Sequence, residues 1–360
     1  MSNNIIEYKN LIAFHPSSYI HDVIEDLNIT QEEFANRLGV SSKVLSELLN
    51  AKTNLSPDMA VKLESLTGVS YNTWMNIQNQ YDKKKIEISN KKQEDEKTII
   101  NSIQIRYFKQ HNLIEKKRYK YEEKAKALKK LLNIADMTIL GNFNPVVSYR
   151  SKDLDNSEAI INSNVMLEIA SNQARGISDV KLNRNKLQSK LPHIKNLTLK
   201  EPREFYPELK NILLECGVVL IALPHLQNSN LHGAVKKFNN GSVLLLITDR
   251  NKAADIFWFS LMHEIFHIIN GDFYTNIENK EEYLIKERRA DESAEDFFIN
   301  QNDYKEFVLK NDFSEKSIIN FCKIKKIKPI ILIGRLRKDE YLPYSSLIKY
   351  NEQYKIKLNI

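Results

Sequence analysis

The chain has few cysteines and no long apolar run. Its 360 residues include two cysteines, Cys216 and Cys322, both within apolar sequence. Two thiols cannot form the disulfide framework of a secreted domain, so we expect buried, reduced cysteines and a reducing compartment. No run approaches the roughly eighteen apolar residues of a membrane span, and residues 1–10 lack the apolar core of a signal peptide. These absences predict a cytoplasmic protein that has no membrane partner.

The charge of the chain is unevenly distributed. A length of 360 residues suggests two or three domains, and the hydrophobic fraction of 42% is enough for their cores. The formal net charge is +7, but residues 1–80 carry −4 and residues 81–136 carry +7. A basic segment is an electrostatic footprint for nucleic acid or an acidic partner, but a solvated linker helix has the same composition. For that segment alone the linker helix is favoured.

Capping signals divide the first eighty residues into short helices. Thr30 and Glu33 form a capping box at the start of one helix, and Gly39 ends it. Ser41 caps the next helix, over residues 42–50. The residues of that helix that we expect to face the core are Val44, Leu48 and Leu49. A helix, a glycine turn and a second helix at this spacing predict a helix-turn-helix.

Two further helices begin at Ser56-Pro57 and near Trp74, which completes an all-α domain of five helices over residues 1–81. The second helix of a helix-turn-helix lies in the major groove of DNA. The candidates for DNA contact are Ser42, Lys43, Ser46, Glu47 and Lys52. The alternative is a helical bundle used for protein contacts, because an acidic domain supplies few phosphate contacts.

Residues 11–81 resemble the HigA-type antitoxins of the Xre repressor superfamily. The resemblance is carried by His15-Pro16, by residues 31–41 and 49–52, and by Trp74-Met75-Asn76-Ile77-Gln78. It implies a dimeric repressor that binds DNA and that can also neutralise a toxin. The partners that it implies are therefore DNA, through residues 1–81, and a second copy of the chain.

A His-Glu-x-x-His motif lies within the apolar helical stretch 257–269. Residues four apart share one face of a helix, so His263 and His267 can hold the same metal ion. Glu264 then lies beside the metal, where it can accept a proton from water. The alternative is a pair of ordinary histidines on a buried helix, but the helical context that the motif requires is present.

The next helical segment, residues 286–299, supplies a candidate third ligand. We predict that Glu287 is the third metal ligand. Asp291, one turn later, is predicted to orient a ligating imidazole by contacting the ring nitrogen that does not bind the metal. Two imidazoles and one carboxylate predict one Zn²⁺ ion, with Mn²⁺ as the alternative. A solvated helix face is the competing interpretation of this charged segment.

Two apolar runs before the motif predict strands over residues 218–223 and 243–248. The turn signal Asn239-Asn240-Gly241 predicts a hairpin that pairs residues 233–238 with 242–248. We therefore expect a small antiparallel sheet beside the metal-site helix, an order found in zincin-type peptidases. An edge of such a sheet can hold a substrate backbone by strand addition. His232 is a weak candidate for stabilising an oxyanion, against the alternative of an incidental loop histidine.

Residues 140–350 resemble the ImmA/IrrE metallopeptidases. The resemblance is carried by residues 258–269, by Glu287-Arg288-Arg289-Ala290-Asp291 and by residues 328–336. It implies a zincin-like, gluzincin-type domain and a narrow protein substrate, such as a transcriptional repressor that is cut under stress. The family usually has Glu-x-Glu-Ala where this chain has Arg289, and many members have a further histidine at the position of Gly271.

The whole chain therefore resembles a fusion of the two families, with a multidomain α+β fold. The domains that we expect are a helix-turn-helix domain over 1–81, a basic and mostly helical linker over 82–139, and a peptidase domain over 140–360. The leading functional hypothesis is a zinc-dependent peptidase that acts on a repressor or antitoxin-like protein. The alternative is a transcriptional regulator or antitoxin whose metal domain is a sensor or is inactive.

Overall fold

The computed structural model describes residues 4–142, 157–273 and 280–358 of a chain that separates into two compact units, Met1–Thr98 and Ile99–Ile360. Most of the described residues are helical, and their strands form two small sheets. The expectation of a multidomain fold that combines helices with a small sheet is thereby confirmed in its coarse features. Among these residues, no helix combines the length and the apolar character that are needed to cross a bilayer.

The first unit is built from a β-hairpin and five helices. The core that joins its helices includes Phe34, Leu45, Leu63 and Trp74, each at most 2% exposed. The elements, in chain order, are β1 (Ile5–Tyr8), β2 (Leu11–Phe14), α1 (Ser17–Asp26), α2 (Gln31–Leu38), α3 (Ser42–Leu49), α4 (Pro57–Thr67) and α5 (Tyr71–Ser102), the last of which runs past the end of the unit.

Side-chain caps start three of these helices where the sequence predicts them. The hydroxyls of Thr30, Ser41 and Ser56 each accept a hydrogen bond from the backbone N–H three residues later. Gly39 ends α2 in the left-handed region at φ 64°, which a residue without a β-carbon adopts readily. The predicted caps and turn of the helix-turn-helix are therefore confirmed, while the Glu33 carboxylate of the predicted capping box contacts Arg37.

The prediction that this domain is all-α was wrong, because β1 and β2 form an antiparallel hairpin. Alternate residues of the hairpin, including Tyr8 and Ala13, pack against Tyr81 and Ile88 of α5. Two strands of four residues are marginal by themselves and need such a partner. The partner lies about seventy residues further along the chain, so the local pattern of residues 5–14 did not reveal the hairpin.

The orientation of α3 also differs from the prediction. Val44 is 46% exposed, whereas Leu45, Leu48 and Leu49 are buried. Leucines at positions i, i+3 and i+4 form one stripe on a helix, and this stripe faces the core. Val44 lies one residue outside the stripe, so the prediction that it faces the core was wrong.

The second unit contains the remaining elements. They are α6 (Ile105–Gln110), α7 (Tyr121–Leu132), a 3₁₀ helix (Met137–Gly141), α8 (Ser157–Ala174), α9 (Arg184–Leu197), α10 (Pro202–Glu215), β3 (Val218–Leu223), β4 (Gly233–Lys237), β5 (Val243–Thr248), α11 (Ala254–Asn270), α12 (Lys280–Phe298), α13 (Gln301–Leu309), α14 (Glu315–Lys325), α15 (Pro329–Lys338) and a short 3₁₀ helix (Ile348–Tyr350).

The sheet of this unit has the order β3-β5-β4. The predicted hairpin is confirmed, since β4 pairs antiparallel with β5, with Gly233 opposite Ile247. The expectation of a purely antiparallel sheet was wrong, because β3 pairs parallel with β5. Both strands of the parallel pair are almost entirely buried, as is usual for strands that are covered on both faces.

Helices cover the sheet on both faces. One face shares a core with α11, where Val235 and Leu245 lie in the same cluster as Trp258 and Leu261. The other face packs against α8, where Ala234 and Leu244 share a cluster with Leu167. The helix with the histidine motif is therefore held against a sheet whose strands β3 and β5 are almost entirely buried.

The region 82–139, which we predicted to be a basic and mostly helical linker, is largely helical. The part of α5 beyond residue 81 carries short-range ion pairs, such as Lys84 with Glu87 and Lys91 with Glu94. Residues from 99 onward belong to the second unit, and Phe108 and Leu128 are fully buried in its core. The charged residues thus lie on exposed helix surfaces, while the apolar ones contribute to a core.

Gly334 gives a test of how α11 is positioned. A β-carbon added to this residue of α15 would overlap the carboxylate of Asp255, in the first turn of α11. Helix propensity alone predicts that Gly334→Ala gains stability, but overpacking of a close contact typically costs about 1–3 kcal/mol. We expect Gly334→Ala to lower the midpoint of thermal unfolding of the full chain.

The matched control is the double variant Gly334→Ala/Asp255→Ala. It should lose less stability than the sum of the two single variants, because the second change removes the overlapping carboxylate. An increase in unfolding temperature for Gly334→Ala would contradict this account of the contact.

Candidate functional site

The two histidines of the motif lie side by side on α11. Four residues separate His263 from His267, which puts both imidazoles on one face of the helix. Both are at most 1% exposed, and their Nε2 atoms are 2.9 Å apart. The opposite face of α11, including Leu261 and Ile265, is packed in the core with the sheet. The apolar face thus fixes the direction in which the imidazoles point.

Helix α12 brings the predicted third ligand to this face. Ala290 and Ala294 are fully buried, and their small side chains let α12 approach α11 closely. The Glu287 carboxylate then lies with Oε2 3.3 Å from Nε2 of His263 and Oε1 3.2 Å from Nε2 of His267. The three residues that the sequence singled out as metal ligands are therefore brought together.

Carboxylates also contact the far sides of both imidazoles. Asp291 Oδ1 is 2.8 Å from Nδ1 of His263, which is the arrangement that the sequence predicted for it. Asp272 Oδ2 is 3.5 Å from Nδ1 of His267, and Arg289 donates to both Asp272 oxygens at 2.7 and 2.8 Å. Such partners fix the orientation of an imidazole and increase its basicity.

The role of Asp272 was not predicted from the sequence. The signal was Gly271, which ends α11 at φ 78°, so that the N–H of Asp272 bonds back to the carbonyl of His267 at 2.9 Å. This glycine turn directs Asp272 toward the imidazole. Arg289, which was noted as a departure from the resembling family, is the residue that binds Asp272.

The electrostatics of the site favour a bound cation. Burial lowers the pKa of His267, but the carboxylates of Asp272 and Glu287 raise it more, to about 9. Burial raises the pKa of Glu287, but hydrogen bonds with His263 and His267 lower it well below its usual range. Carboxylates thus surround both imidazoles, and a positive charge between them would offset the cost of burying these groups.

The donor set fits a divalent zinc ion. One donor atom from each of His263, His267 and Glu287 lies within 4.8 Å of the others. A tetrahedral zinc ion with Zn–N distances of about 2.0–2.1 Å would space its ligand atoms by about 3.3 Å, close to the separations of the imidazole and carboxylate atoms. Imidazole suits zinc, whereas Mn²⁺ favours sites that are rich in oxygen.

Glu264 is buried beside this cluster, at 2% exposure. It faces Gly233, the first residue of β4, where an added β-carbon would lie 2.5 Å from Glu264 Cγ and 2.9 Å from its Oε1. Glycine at 233 is thus required for the carboxylate to fit under the strand, a contact that the sequence alone does not predict. His232 is the preceding residue and is half-buried, and its carbonyl accepts a hydrogen bond from the N–H of Thr248.

The five candidates for DNA contact lie on or just after α3. Ser42, Lys43, Ser46 and Lys52 are exposed, and Glu47 is partly exposed. The buried leucines of α3 hold its other face against the core of the first unit. The exposed side of α3 therefore has the polar surface that a recognition helix presents to base edges and phosphates.

Comparisons with known proteins concern this helix-turn-helix. Residues 20–74 match the helix-turn-helix family HTH_3. The uncharacterised HTH-type transcriptional regulator YddM of Escherichia coli is 36% identical over 64 residues, which are 18% of this chain and 68% of that protein. A crystal structure from Nostoc punctiforme, described as an antidote protein of a plasmid maintenance system, is 31% identical over 22% of this chain and 89% of that chain, with a TM-score of 0.22.

The metal site can be tested by removing one ligand at a time. We expect His263→Ala, His267→Ala and Glu287→Ala each to weaken zinc binding by more than about 100-fold, because three protein ligands are the minimum for tight binding. Asp291→Asn should weaken it by about 10–100-fold, because it disturbs only the orientation of His263. Zinc content after dialysis against a metal buffer measures each effect.

Glu292→Ala is the matched control. This carboxylate is on the same helix but is exposed and lines a separate surface pocket. If Glu287→Ala kept its zinc while Glu292→Ala lost it, the ligand assignment would be wrong.

Proposed function

The chain belongs, through its N-terminal domain, to the helix-turn-helix family of transcriptional regulators, and we propose that it is a DNA-binding protein. We also propose that its second unit is a zinc-dependent peptidase. The observation that supports the peptidase is the buried Glu264 carboxylate beside the cluster of His263, His267 and Glu287. The resemblance of residues 140–350 to the ImmA/IrrE metallopeptidases supports the same assignment.

In this proposal, His263, His267 and Glu287 hold a single zinc ion. A zinc ion in such a site polarises a carbonyl group and makes water more acidic. The chemistry of the reaction is the hydrolysis of a peptide bond, in which a C–O bond forms and the C–N bond breaks. The remaining protein groups supply the proton transfers and the alignment of the substrate.

Glu264 is the proposed general base and acid. Its carboxylate accepts a proton from the attacking water and then donates that proton to the leaving nitrogen. Its low exposure keeps bulk water from competing for the proton, and the glycine at 233 lets it lie directly under β4.

The start of β4 offers a position for the substrate backbone. Within the described residues, β4 is an edge strand that pairs with β5 on one side. A substrate in extended conformation can pair with the other side, as other sheet edges bind peptides. The peptide bond that lies opposite Gly233 would then be next to Glu264.

The substrate that we propose is a transcriptional repressor or an antitoxin-like protein, and the proposed state of the chain is a homodimer. The alternative function is that of a transcriptional regulator or antitoxin whose metal domain is a sensor or is inactive. The similarity to a transcriptional regulator favours this alternative for the first unit. Measuring the metal content of the chain together with its cleavage of candidate substrates distinguishes the peptidase from the regulator or antitoxin.

Glu264→Gln tests the catalytic role. We expect this variant to keep its zinc and its unfolding temperature, because no ligand is removed, and to lose peptidase activity by at least about 10²–10⁴-fold. The assay is mass-spectrometric detection of cleaved products from a peptide library and from purified repressors. Undiminished cleavage by Glu264→Gln would exclude Glu264 as the base.

Lys43→Ala tests the DNA-binding role of α3. We expect the substitution to weaken the binding free energy of the full chain for DNA obtained by in vitro selection by about 1–3 kcal/mol. Fluorescence anisotropy measures this change. The control is Lys62→Ala, on α4, whose amine pairs with Asp58. Equal losses for the two variants would mean that α3 does not make the specific contact.

A further inference from the structure

Two cations flank one aromatic ring near the end of β4. The Nζ of Lys237 and the guanidinium carbon of Arg184 each lie 5.9 Å from the ring centroid of Phe273, within the range of a cation–π contact. We name Arg184, Lys237 and Phe273 the Phe273 cluster. Among the residues that the structure describes, neither Lys237 nor Arg184 has an acidic partner within ion-pair distance.

The Phe273 cluster lies on the same face of the sheet as Glu264. Side chains alternate along a strand, so Gly233, Val235 and Lys237 point to one face of β4. Gly233 abuts Glu264 on that face, and Val235 lies in the core with α11. Lys236 points to the opposite face and pairs with Glu168 at 3.2 Å.

The distance between Gly233 and Lys237 along β4 gives the distance of the Phe273 cluster from the Glu264 carboxylate. Four residues separate Gly233 from Lys237, and a strand rises about 3.3 Å per residue, so the two positions are about 13 Å apart. A peptide paired along the edge of β4 has the same rise. A substrate residue opposite Lys237 is therefore about four residues from the one opposite Gly233.

Gly271 makes room for the guanidinium of Arg184. An added β-carbon at Gly271 would lie 2.5–2.7 Å from the guanidinium atoms of Arg184. The φ angle of Gly271 is 78°. The guanidinium therefore lies against the C-terminal end of α11. A competing explanation is that Arg184 only caps that end, where the helix dipole favours a positive charge, but this explanation leaves Lys237 without a role.

We propose that the Phe273 cluster is a specificity site for an acidic side chain, Asp or Glu, about four residues from the scissile bond of the substrate. The proposal rests on the proposed peptidase function and names a feature of its substrates. Two cations supply charge complementarity to a carboxylate, and the Phe273 ring covers the methylene groups of the acidic residue. Because the ligand is a side-chain carboxylate and not the carboxylate of a chain terminus, the site also binds peptides whose C-terminus is amidated.

The experiment uses the full chain, loaded with zinc, and a random peptide library with amidated C-termini. Peptides retained by Glu264→Gln are sequenced, and products of the wild-type chain are mapped by mass spectrometry. We expect acidic residues to be enriched about tenfold at one position, as two partly exposed ion pairs allow. The enrichment should decrease at high salt.

Charge reversal separates recognition from a structural role. Arg184→Glu/Lys237→Glu should reverse the preference at that position from acidic to basic residues, which loss of a helix cap cannot do. Lys186→Ala is the matched control, because Lys186 is on the same helix as Arg184 and already contacts Glu215. That variant should keep the acidic preference.

The outcomes distinguish this site from the peptidase proposal. An acidic preference among bound peptides, with no cleavage by the wild-type chain, would refute the peptidase and retain the peptide-binding site. No acidic preference among bound peptides, or the same preference in the charge-reversed variant, would refute the Phe273 cluster as a specificity site.

Discussion

The packing of α11 against the sheet, α12 and α15 is the constraint on which the candidate site depends. Its apolar face is buried against the sheet, and α12 covers the face that carries the two imidazoles. Three glycines permit the closest approaches around it: Gly334 beside its first turn, Gly233 beside Glu264 and Gly271 at its end. A helix held in this way cannot rotate without overlap, so its polar residues have fixed directions in a buried environment.

The polar groups on α11 are stable in that environment because they contact one another and carboxylates from two other segments. Glu287 lies between the imidazoles, while Asp291 and Asp272 contact their outer nitrogens. Arg289 compensates part of the negative charge through Asp272. Buried ionisable groups persist only where such partners exist, and the same arrangement is the one that a metal-binding site needs around its ligands.

Most residues of the site that the sequence predicted have a local relation, whereas Glu287 was predicted as a carboxylate of the next helical segment, twenty residues from His267. His263, Glu264 and His267 follow from helical spacing, and Asp291 follows from its position one turn after Glu287. Asp272 and Gly233 were missed, because their contacts with His267 and Glu264 depend on a turn and on a strand thirty residues away. No periodic pattern records such contacts.

The sequence alone determined the helix-turn-helix, from caps at Thr30, Ser41 and Ser56 and the turn at Gly39, and the hairpin of β4 with β5. These features depend on hydrogen bonds within a few residues or on one turn, so the local sequence specifies them. The tertiary structure decided the parallel pairing of β3 with β5, the packing of the β1–β2 hairpin on α5 and the approach of α12 to α11. Those contacts join distant segments, and their stability comes from burying apolar surface that only the folded chain brings together.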